Sequence, residues 1–189
     1  MERKSIGFAL TGSFCTFGKI FPVIEQMSVE YDITPIMSEI SANTDTRFGR
    51  SSEHKLRLEN ITGKAVLETA KEVEPIGPKK LLDALIVAPC TGNSIAKIAN
   101  GIADTSVTLA VKSHLRNKRP VVIAVSTNDG LGNNAKNIGL LLNMKNIYLV
   151  PFGQDDCKEK QNSLISDMSR IDETLKYALE GKQIQPVLI

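Results

Sequence analysis

The chain has 189 residues, 42% of them hydrophobic and 23% charged, and its 23 Lys and Arg against 21 Asp and Glu leave a formal net charge of +2. That balance is too small to argue for nucleic acid or anionic membrane as a partner, and no apolar run reaches the ~20 residues of a membrane span. The length suits one domain with a substantial core; Cys15, Cys90 and Cys157 form neither a CxxC pair nor a disulfide framework, and the start has too short an apolar stretch for a signal peptide, so a cytoplasmic protein is expected.

Ser5-Ile-Gly-Phe-Ala-Leu10 is an apolar run ending at Thr11-Gly-Ser13, which predicts a strand entering a tight turn. Ile20, Val23, Ile24 and Met27 then lie on one helical stripe, and Pro22 leaves two starts open: near Ile20, or near Thr16 with a kink. Ile33-Thr-Pro-Ile-Met37 reads as a strand weakened by Pro35. Residues 39–50 read as irregular, 51–60 and 64–72 as helices, and Glu74-Pro-Ile-Gly-Pro78 as a loop. Asp83 to Ala88 is a third strand, followed by a helical stripe of Ile95, Ile98, Ala99 and Ile102 and a second helix from Ser106 to Leu115. The basic stretch Lys112–Arg119 reads as a solvated helix end and loop. Pro120-Val-Val-Ile-Ala-Val125 is the strongest strand. A helix through Leu140-Leu-Leu142, a strand at 146–150, a loop around Gln154-Asp-Asp156 and a closing helix from Arg170 to Leu179 complete the chain. Strands alternating with amphipathic helices predict a single doubly wound α/β domain over 1–189, Rossmann- or flavodoxin-like, with a central parallel sheet.

In such sheets ligands sit outside the carboxyl ends of the strands. Here the four clearest ends are Thr11-Gly-Ser13, Ser38, Pro89-Cys-Thr-Gly-Asn-Ser94 and Ser126-Thr-Asn-Asp129, all small or polar. Hydroxyls, close backbone approach and helix N-termini suit a phosphate. The dinucleotide glycine fingerprint and the Walker lysine are absent, so a mononucleotide fits better than NAD or ATP. The candidate cofactor-binding residues are Gly12, Ser13, Phe14, Ser38, Pro89, Thr91, Gly92, Asn93, Ser94, Ser126, Thr127 and Asn128, with Ser13 and Ser38 as phosphate donors. Cys15 and Cys90 have no adjacent base and read as small apolar filler. His54 and His114 read as surface positions on helices, and Asp155 and Asp156 as solvent-facing rather than metal ligands. Arg47, in Asn43-Thr-Asp-Thr-Arg-Phe-Gly49, is either a solvated loop residue or a clamp for a carboxylate. With Phe48 as almost the only apolar residue of 41–50, that segment is expected to be mobile and to order as a lid over a ligand.

Pro89-Cys-Thr-Gly-Asn-Ser94 resembles the Pro-Ala-Ser-Ala-Asn-Thr motif of the flavoprotein family of homo-oligomeric, flavin-containing Cys decarboxylases, keeping Pro89 and Asn93. Ile95–Asp104 is similar to the same family, whose Pro-Ala-Met-Asn motif is reduced here to Val125-Ser-Thr-Asn128. The resemblance implies FMN and a homo-oligomer with flavin at interfaces between its copies. The family's catalytic His falls at Pro75, which cannot transfer a proton, so cysteine-peptide decarboxylation is not expected. Prenyltransferase chemistry is disfavoured, because stretches outside the flavin motifs do not match that branch. Nearly the whole chain, through Thr11–Thr16, Asn43–Gly49, Glu74–Pro78, Ser126–Gly132, Pro151–Asp156 and Gln185–Val187, resembles one branch. The resemblance to that branch implies a role, alongside a second, non-identical subunit, in oxidising dihydrodipicolinate to dipicolinate for bacterial endospores. That implies one component of an oxidoreductase in the mother-cell cytoplasm, active with its partner, binding a dicarboxylate through Arg47 and Lys97, with no catalytic residue assigned. The alternative is a non-redox binding or assembly component whose partner carries NAD(P)-dependent chemistry. The apolar end Pro186-Val-Leu-Ile189 is expected to be packed, against the body or a neighbour.

Overall fold

The computed structural model describes residues 3–189. The apolar run β1 (Ser5–Leu10) passes through a 3-10 turn (Phe14–Thr16) into α1 (Phe17–Glu30), so of the two possible starts the helix takes the earlier, with Pro22 inside it. Then follow β2 (Asp32–Met37), α2 (Glu39–Asn43), α3 (Ser51–Thr62), α4 (Ala70–Val73), β3 (Ala84–Cys90), α5 (Gly92–Ala99), α6 (Ser106–Arg116), β4 (Val121–Thr127) and α7 (Ala135–Asn143). The chain closes with β5 (Ile147–Leu149), β6 (Phe152–Asp156), β7 (Lys160–Ser166) and α8 (Ile171–Leu179).

β2, β1, β3, β4 and β5 are parallel neighbours in that order. The order reverses at β1, with β2 on one side and β3 on the other, and the switch opens a crevice there. Alternation along the strands feeds two cores. Ile86, Ala88, Val122 and Ala124 join Phe17, Ile20, Ile24 and Leu175 on the α1/α8 face. Leu85, Val87, Ile123 and Val125 join Ile95, Val107, Val111 and Ile138 on the α5/α6/α7 face. Each buried aliphatic side chain contributes roughly 1.5–3 kcal/mol relative to exposure, which is what fixes this layering. Pro35 is tolerated because β2 borders the sheet: its missing N–H falls on the outer side, where its carbonyl accepts from Leu67 N at 3.0 Å.

Several sequence expectations are corrected. Residues 64–72 are not one helix, since Leu67 extends along the outer side of β2 and bridges Ile36. The helix can begin only after Thr69, whose hydroxyl accepts from Glu72 N while Glu72 Oε2 accepts from Thr69 N, a reciprocal cap. Residues 39–43 are helical because Ser38 caps them, and Glu74–Ile76 forms a 3-10 turn rather than open loop. Ile102 leaves its stripe: α5 stops at Ala99, Gly101 turns with φ +71°, and Ile102 is exposed. Residues 152–166 form an antiparallel hairpin, not a loop. Its strand β7 pairs with the last residues of β4, Ser126 with Ile165 and Thr127 with Leu164. The C-terminus is tied by backbone, Phe152 N donating to Val187 O and Ile189 N to Phe152 O, while the side chains of Leu188 and Ile189 face outward. His54 and His114 are both buried, not surface residues.

Candidate functional site

Two clefts open along the carboxyl ends of the strands and meet at Gly12 and Thr91. The first, of about 530 Å³, is lined by Gly12 to Thr16, Thr46 to Phe48, Thr91, Gly92 and Ser126 to Asn128, and on its far side by the hairpin residues Asp155, Lys160 and Ser163 to Ile165. The second, of about 260 Å³, is lined by Thr11, Ser38 to Ile40, Asn93, Ser94, Lys97 and Thr105.

Hydroxyls stitch the strand ends together. Ser126 Oγ lies 2.8 Å from Ser13 Oγ and 3.1 Å from Thr16 Oγ1, and Ser13 and Thr16 close the ring at 3.1 Å. Three hydroxyls in a ring can each donate once and accept once, so the cluster is satisfied while tying the turn after β1 to the end of β4. Thr11 Oγ1 donates to Pro89 O at 2.6 Å and accepts from Thr91 N at 3.0 Å, tying β1 to β3. Pro89 serves through that carbonyl and lines neither cleft. Gly92 is sterically required: a Cβ there would lie 2.5 Å from Thr127 Oγ1 and 2.7 Å from Asn134 Nδ2. Gly12 is not, since its nearest neighbour would be Ile40 Cγ2 at 3.4 Å; its missing side chain leaves room where the clefts join.

The second cleft has the character of an anion cradle. α5 and α6 both begin at it, capped by Thr91 and Thr105, which accept from Ser94 N and Thr108 N. Ser38 caps the short α2 in the same way. Helix N-termini present aligned N–H groups and partial positive charge. Lys97 adds a cation, paired with Asp104 at 2.9 Å, while Glu39, which also lines this cleft, accepts from Ser106 N at 3.0 Å and so occupies the first N–H of α6.

Arg47 stands at the rim of the first cleft on a two-residue turn. Thr46 and Gly49 exchange backbone hydrogen bonds of 3.1 Å each, and Gly49 at φ +130° supplies a backbone conformation that other residues rarely adopt. Thr46 Oγ1 accepts from Phe48 N, and Asp45 Oδ1 accepts from Ser51 N and Oγ, which holds the Asp45 carboxyl below its ordinary range. Under the turn lies an aromatic bed. His54 meets Phe17 edge-on at 5.0 Å and stacks on Phe21 at 5.7 Å, and a Cβ on Gly49 would strike its ring at 2.8 Å. Burial lowers the His54 pKa. The segment is therefore a closed, seated turn, with more anchorage than Phe48 alone provides. The Arg47 guanidinium lies 4.9 Å over the Phe48 ring and is in no ion pair among the described residues.

Most sequence-selected residues converge, but they divide between the clefts. Ser13, Phe14, Gly92, Ser126, Thr127, Asn128 and Arg47 line the first; Ser38, Asn93, Ser94 and Lys97 line the second. Ser13 and Ser38 thus do not share a cleft, and Lys97 does not face Arg47. Cys15 is not buried filler: it is exposed in the first cleft, 3.8 Å from Ser13 Oγ. Cys90 is buried, and desolvation pushes its thiol far up. The hairpin wall was missed altogether. Its sequence signal is Asp156, whose carboxylate accepts from Lys158 N and Glu159 N and so folds the turn. Asp155 pairs with Lys160, and among the described residues no group of three or more His, Cys, Asp or Glu could hold a metal ion. No described helix is long and apolar enough to cross a membrane.

A family model described as Flavoprotein matches residues 1–175. The B subunit of dipicolinate synthase from Bacillus subtilis (strain 168) is 42% identical over 190 residues, covering 100% of this chain and 95% of that protein. The crystal structure of the corresponding dipicolinate synthase chain from Bacillus halodurans superposes with a TM-score of 0.90 at 44% identity, over 98% of this chain and 96% of the other. Burkholderia xenovorans DmrB in complex with FMN, a cubic protein cage for redox transfer, shares the fold, with a TM-score of 0.69 at 15% identity over 94% of this chain and 96% of that one.

Proposed function

This chain belongs to the Flavoprotein family, and from that premise we propose that it is the FMN-binding component of a two-chain oxidoreductase. In this reading it works with the A subunit of dipicolinate synthase to oxidise dihydrodipicolinate to dipicolinate. The observation that carries the proposal is the junction at Gly12, where an anion cradle with hydroxyls and helix N-termini runs into an open cleft rimmed by an unpaired guanidinium. A phosphate-bearing ring compound suits the first part and an acidic substrate the second.

Ser38, Asn93, Ser94 and the N-terminus of α5 would hold the phosphate. Gly12 and Thr91 would flank the linking chain, and Ser126, Thr127 and Asn128 would meet the ring. Ser13, bonded to Ser126 and Thr16, is assigned to the ring end rather than to the phosphate. When bound, FMN supplies a hydride acceptor. This chain's own residues bind and orient: Arg47 offers two parallel N–H donors to a carboxylate, and the turn that carries it shields the cleft from water. An FMN titration followed by absorbance tests the assignment, with saturable binding and a perturbed flavin spectrum expected. A colourless protein that leaves added FMN unperturbed would overturn it. Assembly as a homo-oligomer in the mother-cell cytoplasm of a sporulating bacterium belongs to the same proposal.

One observation favours a second reading, a binding or assembly component whose partner performs NAD(P)-dependent transfer. Among the described residues lining the first cleft, none is a histidine or an unpaired carboxylate: the one carboxylate, Asp155, is already paired with Lys160. Assaying the two chains separately and mixed, with and without FMN, separates the readings: flavin-independent turnover by the mixture supports the second.

A further inference from the structure

The first cleft has a cation on each side. Arg47 stands on the turn after α2, and Lys160 opens β7 on the hairpin; both line the same space. Lys97, the other cation favoured by the sequence, lies in the second cleft and is engaged by Asp104 at 2.9 Å. Lys160 is held only by Asp155, at 2.9 Å, with the two side chains 56% and 32% exposed. So exposed an ion pair is screened by solvent and contributes little, so exchanging its partner costs little. A six-membered ring with carboxylates at its 2 and 6 positions points them away from each other. One guanidinium cannot take both, whereas two cations approaching from opposite sides can.

We propose that Lys160 is the second carboxylate anchor of this site: it takes one carboxylate of a ring dicarboxylate while Arg47 takes the other, and Asp155 holds the ammonium over the cleft until the ligand displaces it. The inference rests on the dicarboxylate reading above. The Asp155 carboxylate also raises the lysine pKa above its ordinary value. Asp155 therefore has two opposed effects, positioning the ammonium and competing for it, and competition outweighs positioning because Lys160 already projects from a paired strand.

The test is calorimetric titration of the FMN-saturated protein with pyridine-2,6-dicarboxylate, and in parallel with pyridine-2-carboxylate. Lys160→Gln is expected to weaken the dicarboxylate about tenfold while changing the monocarboxylate, held by Arg47, by less than about twofold. Asp155→Asn is expected to tighten the dicarboxylate several-fold. FMN affinity, measured separately, should be the same in both variants. If Lys160→Gln binds the dicarboxylate as the parent does, if it loses both acids equally, or if Asp155→Asn weakens binding, the proposal falls. A parent that binds FMN but no dicarboxylate overturns the inference and leaves the flavin assignment standing. A parent that binds no FMN fails the flavin assignment alone, since the same titrations without flavin still compare the two anchors.

Discussion

The two sides of the first cleft are built in opposite ways. On one side are the ends of parallel strands: every residue of β3 is buried, as is every residue of β4 except Thr127, with helices on both faces. On the other side is a hairpin whose outer half, from Gln154 through Gln161, is half-buried at most. It is fixed at its base by the pairing of Ser126 and Thr127 with β7 and by Leu164, which packs against Gly130 so closely that a Cβ there would lie 2.6 Å away. The rigid side can position a ligand because nothing in it can move without opening the core. The hairpin can only offer charge. Changes that crowd buried groups on the first side should therefore cost stability, and changes on the second should alter binding alone.

The largest expected effect is of pH, and it acts behind the rigid side. His114, on α6, is buried; burial, aided by the nearby Arg119 guanidinium, pulls its pKa from 6.5 to about 4. A histidine with a depressed folded-state pKa leaves stability intact above about 6.5. As pH falls from there the unfolded chain takes up the proton first, so stability declines until about pH 4 and then levels. The shift corresponds to a loss of about 3 kcal/mol. His54, lowered in the same direction, adds to the decline. Denaturant midpoints should hold between pH 7.5 and about 6.5 and then fall towards pH 4.5, and His114→Gln should flatten much of that slope. A variant with the parent's slope would show that the loss arises elsewhere.

The same contrast explains how much could be read in the sequence. β1, β3 and β4 are buried on both faces, so they appear as uninterrupted apolar runs, and four polar strand ends point to one site without any structural knowledge. Hairpin strands exposed along most of their length carry no such pattern. Gln154-Asp-Asp156 reads as solvent, and the cation at Lys160 reaches the site only through pairing between residues some forty positions apart, which no local signal encodes. Helix 39–43 was hidden by its length, since five residues span barely more than a turn, although Ser38 is a legible cap. The division of the site into two clefts was invisible for a similar reason: Ser13 and Ser38 both follow strands, and only the hydroxyl ring shows which way Ser13 turns.

Two glycines on the rigid side sharpen the comparison. Gly92→Ala puts a methyl group against Thr127 and Asn134 and should destabilise the fold by about 1–3 kcal/mol, as overpacking does. Gly12→Ala meets only ordinary contacts and should leave the denaturant midpoint within about 0.5 kcal/mol of the parent while weakening FMN at least severalfold, because its methyl group occupies the junction of the clefts. Equal losses of stability in both variants would contradict the geometry. Undiminished flavin binding by Gly12→Ala would move the cofactor away from the junction.

Arg47 should have the smallest effect on the fold and a specific one on the ligand. Its guanidinium is held only by the Phe48 ring, a contact of about 0.5–1 kcal/mol at an exposed site, and its turn is fixed by backbone bonds and His54 rather than by the side chain itself. Arg47→Lys keeps the charge and removes the planar pair of donors. The melting temperature and FMN affinity should therefore match the parent, while turnover by the reconstituted two-chain enzyme falls and the KM for the dicarboxylate rises. Arg47→Ala should fall further, since the charge goes as well. If both variants retain full turnover, Arg47 does not contact the substrate. If both lose FMN as well, the turn is a part of the rigid side after all, and the division between a positioning side and a charge-bearing rim does not hold.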